Sequence, residues 1–270
     1  HNLPSTWPEA VLREALQVAT EVGAADRAGR RDLTALPLVT IDGADARDFD
    51  DAVCVRRTAK GFVLHVAIAD VAHYVRPDSA LNREALNRGT SVYFPDRVIP
   101  MLPERLSNGI CSLNPAVDRL AMVCEMTIDA SGEVRRAQFF EAVFRSRARL
   151  IYEDVERWHG GERVAADWPV DVTDNLACLY ELYACLRARR EARGALDIDT
   201  IEPRFRYDEH GKIAGVEAVQ RVDAHRLIEE CMIAANVAAA RFLEKHKQPA
   251  LYRVHEVPAA EKAEELGRFL

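Results

Sequence analysis

The sequence predicts an α+β fold, an antiparallel-rich sheet with surrounding helices. Three observations carry that expectation. Alternating apolar segments come in pairs around short turns at Thr58-Ala59-Lys60-Gly61, Ser131-Gly132 and His210-Gly211, which is the pattern of three hairpins. Two long segments, 174–192 and 223–246, repeat apolar residues at helical spacing. A short β-branched run, Leu38 to Ile41, follows a proline and reads as a buried strand.

In chain order, Ser5 or Thr6 can cap a helix with Pro8 and Glu9 in its first turn. Val11, Leu12, Ala15, Leu16, Ala19 and Val22 then form one stripe that ends near Gly23. Residues 24–34 are polar, so 1–35 reads as a lead-in helix and linker, ahead of one domain over 36–270. Strands follow at 38–41, 52–56 and 62–69, then a short helix at 81–88. Residues 93–118, rich in Pro, Asn, Ser and Gly, read as a long irregular loop of the functional kind. The second hairpin covers 120–128 and 133–144. A helix at 152–159 stops at Gly160-Gly161; the helix at 174–192 has arginines crowding its end and Gly194 to stop it. The third hairpin spans 204–219. After the helix at 223–246, Pro249 closes the pattern, 250–254 reads as a short strand, and 258–270 opens a last helix with no cap.

Composition sets limits. Apolar residues make up 49% and charged residues 29% of the 270, as in ordinary soluble globular proteins. No apolar run reaches membrane-spanning length, and the first residues lack the basic region and apolar core of a signal peptide. The six cysteines form no CxxC pair and fit buried free thiols in a reducing cytoplasm. A net charge of −7 argues against a sequence-blind nucleic-acid coat, and leaves room for a locally basic channel.

The most informative stretch follows the first buried strand. Asp42, Asp45, Asp48, Asp50 and Asp51 stand together with one cation, Arg47. Carboxylates that close repel unless a cation neutralises them or some take up protons. Neutral turn residues would make the same loop without that cost. The pattern suits a hard divalent cation with oxygen ligands, Mg²⁺ or Mn²⁺. A solvated acidic turn is the plainer alternative. An EF-hand calcium loop fails on spacing, because Gly43 directly follows the first aspartate and no glutamate closes a twelve-residue loop. Arg88, Arg97 and Arg105, with Tyr93, supply guanidinium groups and an aromatic ring of the kind that binds phosphate and stacks on bases. Arg145, Arg147 and Arg149 alternate and would share one face of an extended segment. For both sets a solvated surface is the plain alternative.

The run Asp42-Gly43-Ala44-Asp45-Ala46-Arg47-Asp48-Phe49-Asp50-Asp51-Ala52 resembles the catalytic signature of the ribonuclease II/ribonuclease R family, the RNB domain. Further matches follow in the family's order: Val66 to Val71, Asn87 to Pro95, Ile99 to Pro103, Leu106 to Gly109, Cys111 to Pro115 and Leu227 to Met232. The likeness runs the length of the chain and is nearest to the bacterial ribonuclease R branch.

The resemblance implies an RNB-type fold, incomplete at the C-terminus. It implies a Mg²⁺-dependent, hydrolytic 3′-to-5′ exoribonuclease that degrades single-stranded RNA to nucleoside 5′-monophosphates, in a monomeric, cytoplasmic protein. Asp42, Asp48, Asp50 and Asp51 match the catalytic, metal-binding aspartates; Asp45 is outside that set. Tyr93 matches the tyrosine that stacks near the RNA 3′ end. Two departures stand out. Ile198 occupies the place of an aromatic clamp, and base–aromatic stacking contributes about 1–3 kcal/mol. The family's C-terminal catalytic arginine has no counterpart here. A non-catalytic RNA-binding or structural piece is therefore the alternative.

Overall fold

A computed structural model describes residues 3–95, 97–164, 167–195, 202–252, 254 and 256–269. The elements run α1 (Glu9–Gln17), α2 (Ala24–Arg27), β1 (Arg31–Asp32), β2 (Val39–Asp42), β3 (Asp51–Thr58), β4 (Gly61–Ala69), α3 (Val71–Tyr74), α4 (Ala80–Arg88), β5 (Val92–Tyr93) and β6 (Val98–Ile99). An irregular helical turn, Arg105–Ile110, precedes β7 (Asp118–Asp129), β8 (Val134–Arg145), β9 (Ala148–Ile151), α5 (Tyr152–His159) and α6 (Val170–Ala192). Then come β10 (Glu202–Tyr207), β11 (Ile213–Val219), α7 (Asp223–Lys245) and α8 (Ala260–Phe269).

The main sheet has seven strands in the order β1-β8-β7-β4-β3-β2-β9. Both outermost pairs, β1 with β8 and β2 with β9, are parallel; the inner pairs are antiparallel. This is the antiparallel-rich sheet the sequence predicts. All three hairpins form, and the third, β10–β11, stands apart as a two-stranded sheet. Gly61 closes the first hairpin at φ +139°, where a Cβ would lie 2.2 Å from the Ile128 carbonyl oxygen, so only glycine fits.

One face of the sheet packs on α5, α6 and α7, with Val53, Leu64, Val66 and Met126 against Val155, Leu176, Leu179 and Leu227. All eight are essentially buried, each contributing about 1.5–3 kcal/mol. Loops cover the other face, where Leu38, Phe49 and Leu113 meet Ala67, Val123 and Phe144. A third cluster joins α1, α4 and the 105–110 turn through Val11, Ala15, Leu81, Leu106 and Ile110. All six cysteines are unpaired. Among the described residues no helix is long and apolar enough to cross a membrane.

The structure departs from expectation at several ends. The first helix starts after Pro8 rather than at Ser5 or Thr6, and stops at Gln17. Val18 turns extended, yet Val18 and Val22 still pack on the α1 cluster, so the stripe persists without the helix. Residues 31–32 pair with β8, tying the lead-in to the sheet. Residues 250–252 and 254 are not a strand: no edge is paired with them, and Leu251 and Val254 are exposed. The 93–118 segment contains a small hairpin, β5–β6, that its composition conceals.

Candidate metal and RNA site

Asp42 ends β2 and Asp51 begins β3. The two strands pair only at Val39↔Val53, so beyond that point they part and the loop 43–50 opens between them. On the outer side β9 pairs with β2 along its whole length, Val39↔Ala148 to Asp42↔Ile151. That register brings Arg149 and Tyr152 beside the loop. The Arg149 guanidinium donates to the Ala44 and Ala46 carbonyls at 2.6 and 3.2 Å and lies 5.0 Å from the centroid of the buried Phe49 ring. Ala69 N–H donates to the Asp50 carbonyl at 2.9 Å. The loop is thus held through its backbone while its carboxylates stay available.

The electrostatics show how crowded those carboxylates are. Desolvation, then Asp51, Asp50 and Asp48, push the Asp42 carboxyl up to about 7, against a small lowering by Arg149. Desolvation and Asp50 raise Asp51 to about 6. Asp50, the most solvent-open of the three, is also raised, by desolvation and Asp48. The same negative field reaches Tyr152, whose phenol is raised by burial and then by Asp42 and Asp51. When ionised, the carboxylates of Asp42, Asp48, Asp50 and Asp51 outnumber the two cations near them, Arg47 and Arg149.

No three His, Cys, Asp or Glu side chains among the described residues form a ready-made metal cage. The donor chemistry nonetheless fits Mg²⁺. The ligands are all oxygen, and the ion binds through one or two carboxylates while keeping waters and substrate phosphates for its other positions. It does not need a closed protein cage.

Tyr93 joins this cluster from 45 residues away. Its hydroxyl donates to Asp48 Oδ2 at 2.9 Å while the residue remains 65% exposed. The ring is therefore anchored at one end and open along its face. Desolvation and the bond to Asp48 raise its phenol.

The arginines sort differently. Arg88 has a side chain only 2% exposed, pairs with Glu84 at 2.8 Å and donates to the Pro100 and Thr6 carbonyls. It also lies 3.4 Å over the Trp7 ring. That arrangement ties α4 to the chain's first residues and leaves no open face for phosphate. Arg88→Ala is expected to destabilise the fold by about 1–3 kcal/mol, leaving RNA affinity of the folded protein within about twofold. Reduced RNA affinity at an unchanged melting temperature would reverse that assignment. Arg105 is exposed and donates to the Val18 carbonyl; Arg97 is exposed beside Phe94. Arg145 and Arg147 pair with Asp118 and Asp171. Of that trio, Arg149 alone reaches the aspartate loop. Ile198, the substituted clamp position, lies outside the described residues.

Two further features adjoin the loop. A cavity of about 520 Å³ is lined by Gly43, Asp45, Tyr152, Phe205, Tyr207 and His225 among others, with Tyr152 stacked on His225 at 4.0 Å between centroids. Across the sheet from Asp51 stand Ile68 and then Met122, 40% and 41% exposed. Apolar and aromatic surface thus borders the acidic loop. Sequence reading passed over Tyr152 and Phe205, because neither belongs to a polar cluster in the chain; only the fold brings them to Gly43.

Residues 30–270 match the RNB domain family, and the chain belongs to it. Among its curated relatives it is 51% identical to ribonuclease R of Vibrio parahaemolyticus over 271 residues, covering 100% of this chain and 32% of that protein. It is 52% identical to ribonuclease R of Escherichia coli over 264 residues, covering 97% of this chain and 32% of that one. The chain therefore spans about a third of the length of these relatives. Among solved structures, Mycoplasma genitalium RNase R in complex with ribose-methylated single-stranded RNA superposes with a TM-score of 0.92 at 34% identity, covering 98% of this chain and 41% of that one.

Proposed function

We propose that this chain carries the aspartate cluster of a Mg²⁺-dependent hydrolytic 3′-to-5′ exoribonuclease that acts on single-stranded RNA in the cytoplasm. The observation that carries the reading is the loop itself: Asp42, Asp48, Asp50 and Asp51 crowd together on a backbone clamped from two strands, the carboxyl pKa values of Asp42, Asp50 and Asp51 are pushed up, and Tyr93 is bonded to Asp48. A turn that served only solubility would gain nothing from holding such repulsion in place. The relatives named ribonuclease R support the reading, and one of them is described in complex with single-stranded RNA.

When bound, Mg²⁺ supplies Lewis-acid polarisation of the phosphate, a water of lowered pKa and charge stabilisation of the leaving oxygen. Asp42, Asp48, Asp50 and Asp51 offer the oxygens that hold it. Tyr93 keeps Asp48 in place and presents its ring to a base near the 3′ end; the aromatic-lined cavity beside Gly43 has room for another. Water oxygen bonds to phosphorus, the P–O3′ bond breaks, and the proton leaves with the new 3′-hydroxyl. The released nucleotide keeps its 5′-phosphate.

A second reading, an RNA-binding or structural piece without catalysis, is favoured by one observation: the carboxylates do not form a ready-made cage. A gel assay on 5′-labelled single-stranded RNA, with Mg²⁺ and with EDTA, separates the two. It is run on this chain and on a full-length protein containing it. The expected result is a Mg²⁺-dependent ladder that shortens from the 3′ end in the full-length protein. RNA bound but uncut in both would establish the second reading.

A further inference from the structure

The loop is held by more than Arg149, and one buried side chain stands out. Ser112 is 0% exposed. Its hydroxyl accepts the Phe49 N–H at 3.0 Å and donates to the Arg47 carbonyl at 2.9 Å. Those two groups belong to the peptides on either side of the Asp48 Cα. The next two peptides are fixed as well: Leu113 N–H donates to the Phe49 carbonyl, and Ala69 N–H to the Asp50 carbonyl, each at 2.9 Å. Four consecutive peptides from 47 to 51 are thus tied down. Two of the ties are backbone to backbone. The other two come from the Ser112 hydroxyl.

Ser112 is itself fixed. The Arg119 guanidinium, 8% exposed as a residue, donates from Nε to the Ser112 carbonyl at 2.8 Å and from Nη2 to the Gly109 carbonyl at 3.2 Å. A buried cation thus orders the bend that presents the hydroxyl.

We infer that Ser112 is the positioning residue for Asp48: by fixing both peptides that flank it, the hydroxyl sets where the Asp48 carboxylate stands relative to Asp50 and Asp51, and so sets the affinity of the cluster for a divalent cation. The inference rests on the metal-binding reading proposed above. Ser112 touches neither cation nor RNA. Groups that orient metal ligands in this way typically change metal affinity or activity 10- to 100-fold when removed. Tyr93 holds the same carboxylate from the other end, so loss of Ser112 frees the backbone half of a doubly anchored ligand.

The test is Mn²⁺ binding, followed by the electron paramagnetic resonance of free Mn²⁺, in the wild-type chain, Ser112→Ala and Ser112→Thr. Each is measured at a temperature where circular dichroism shows it folded. The expected result is an affinity about 10- to 100-fold weaker in Ser112→Ala and substantially recovered in Ser112→Thr, which keeps the hydroxyl. RNA affinity in EDTA should stay within about twofold, since no RNA contact is removed. Wild-type affinity in a folded Ser112→Ala overturns the inference. Should Ser112→Ala lose its cooperative melt, Ser112→Cys carries the same test, because a thiol of similar size is a weaker donor and acceptor; wild-type affinity there overturns it equally. A wild-type chain that binds no Mn²⁺ overturns the metal reading itself, and the inference with it.

Discussion

Asp50→Asn is expected to lower the rate of RNA hydrolysis at least about a hundredfold at saturating Mg²⁺ while RNA affinity in EDTA changes less than about twofold. The substitution is nearly isosteric, and the loop is anchored through the Asp50 carbonyl rather than its carboxylate. The backbone should therefore stay where it is. What is lost is one negative charge and one strong oxygen ligand; an amide oxygen is a poorer ligand for a hard cation. The same change relieves repulsion, since Asp50 helps to raise both Asp42 and Asp51. The metal-free variant should accordingly melt higher than the wild type. Loss of activity with a gain in stability is a combination that a structural role cannot produce. Equal loss of hydrolysis and RNA binding would instead assign Asp50 to RNA contact, and unchanged hydrolysis would remove it from the site.

Much of this molecule was legible because its local signals agree. The hairpin at Ser131-Gly132 has alternating strands on both sides and a glycine at φ +76°, so pattern and turn chemistry point the same way. The helix over 223–246 was readable from its apolar spacing alone, and α7 ends one residue short of it. Legibility failed where tertiary contacts decide. The alternating Arg145, Arg147 and Arg149 read only as an extended segment; that Ala148–Ile151 is a strand of the main sheet depends on its parallel pairing with β2, more than a hundred residues earlier in the chain. Likewise Arg88 reads as a free cation in sequence, and only the fold shows Trp7, Glu84 and two carbonyls around it. Asp42, Asp48, Asp50 and Asp51 were readable as a group because like charges are rarely crowded in one loop without reason. Ser112 was not readable as a partner of that loop, because a lone serine between Cys111 and Leu113 carries no charge or period to distinguish it. Its role comes from two hydrogen bonds across 63 and 65 residues.

The crowded carboxyls also fix how stability depends on pH in the metal-free protein. Asp42 and Asp51 titrate near 7 and near 6 in the folded chain, against about 3.9 for an unfolded aspartate. Between pH 4 and 7 the folded state therefore holds protons that the unfolded state has released. Stability falls as pH rises through that window, and the penalty levels off about one unit above the Asp42 value, near pH 8. Halved for the water that still reaches both groups, it is on the order of 2–4 kcal/mol. The expected result in EDTA is a melting temperature lower at pH 8 than at pH 5 by roughly 5 °C or more. Other groups act elsewhere or more weakly. Asp26, Asp32 and Asp129 are held low by their hydrogen bonds, so their contribution is lost only below about pH 4. His65, lowered by burial, opposes the cluster near pH 6, but as one group against three. Divalent cation should cancel the difference selectively. It binds the ionised cluster, so Mg²⁺ or Mn²⁺ at ten times its dissociation constant adds about 1.4 kcal/mol at pH 8 and much less at pH 5, where protons compete for the same oxygens. Asp42→Asn should flatten the pH profile and weaken the cation's effect together. A melting temperature that rises from pH 5 to pH 8 in EDTA would mean that the four carboxylates do not share one field, and with that the case for a divalent site in this loop would fall.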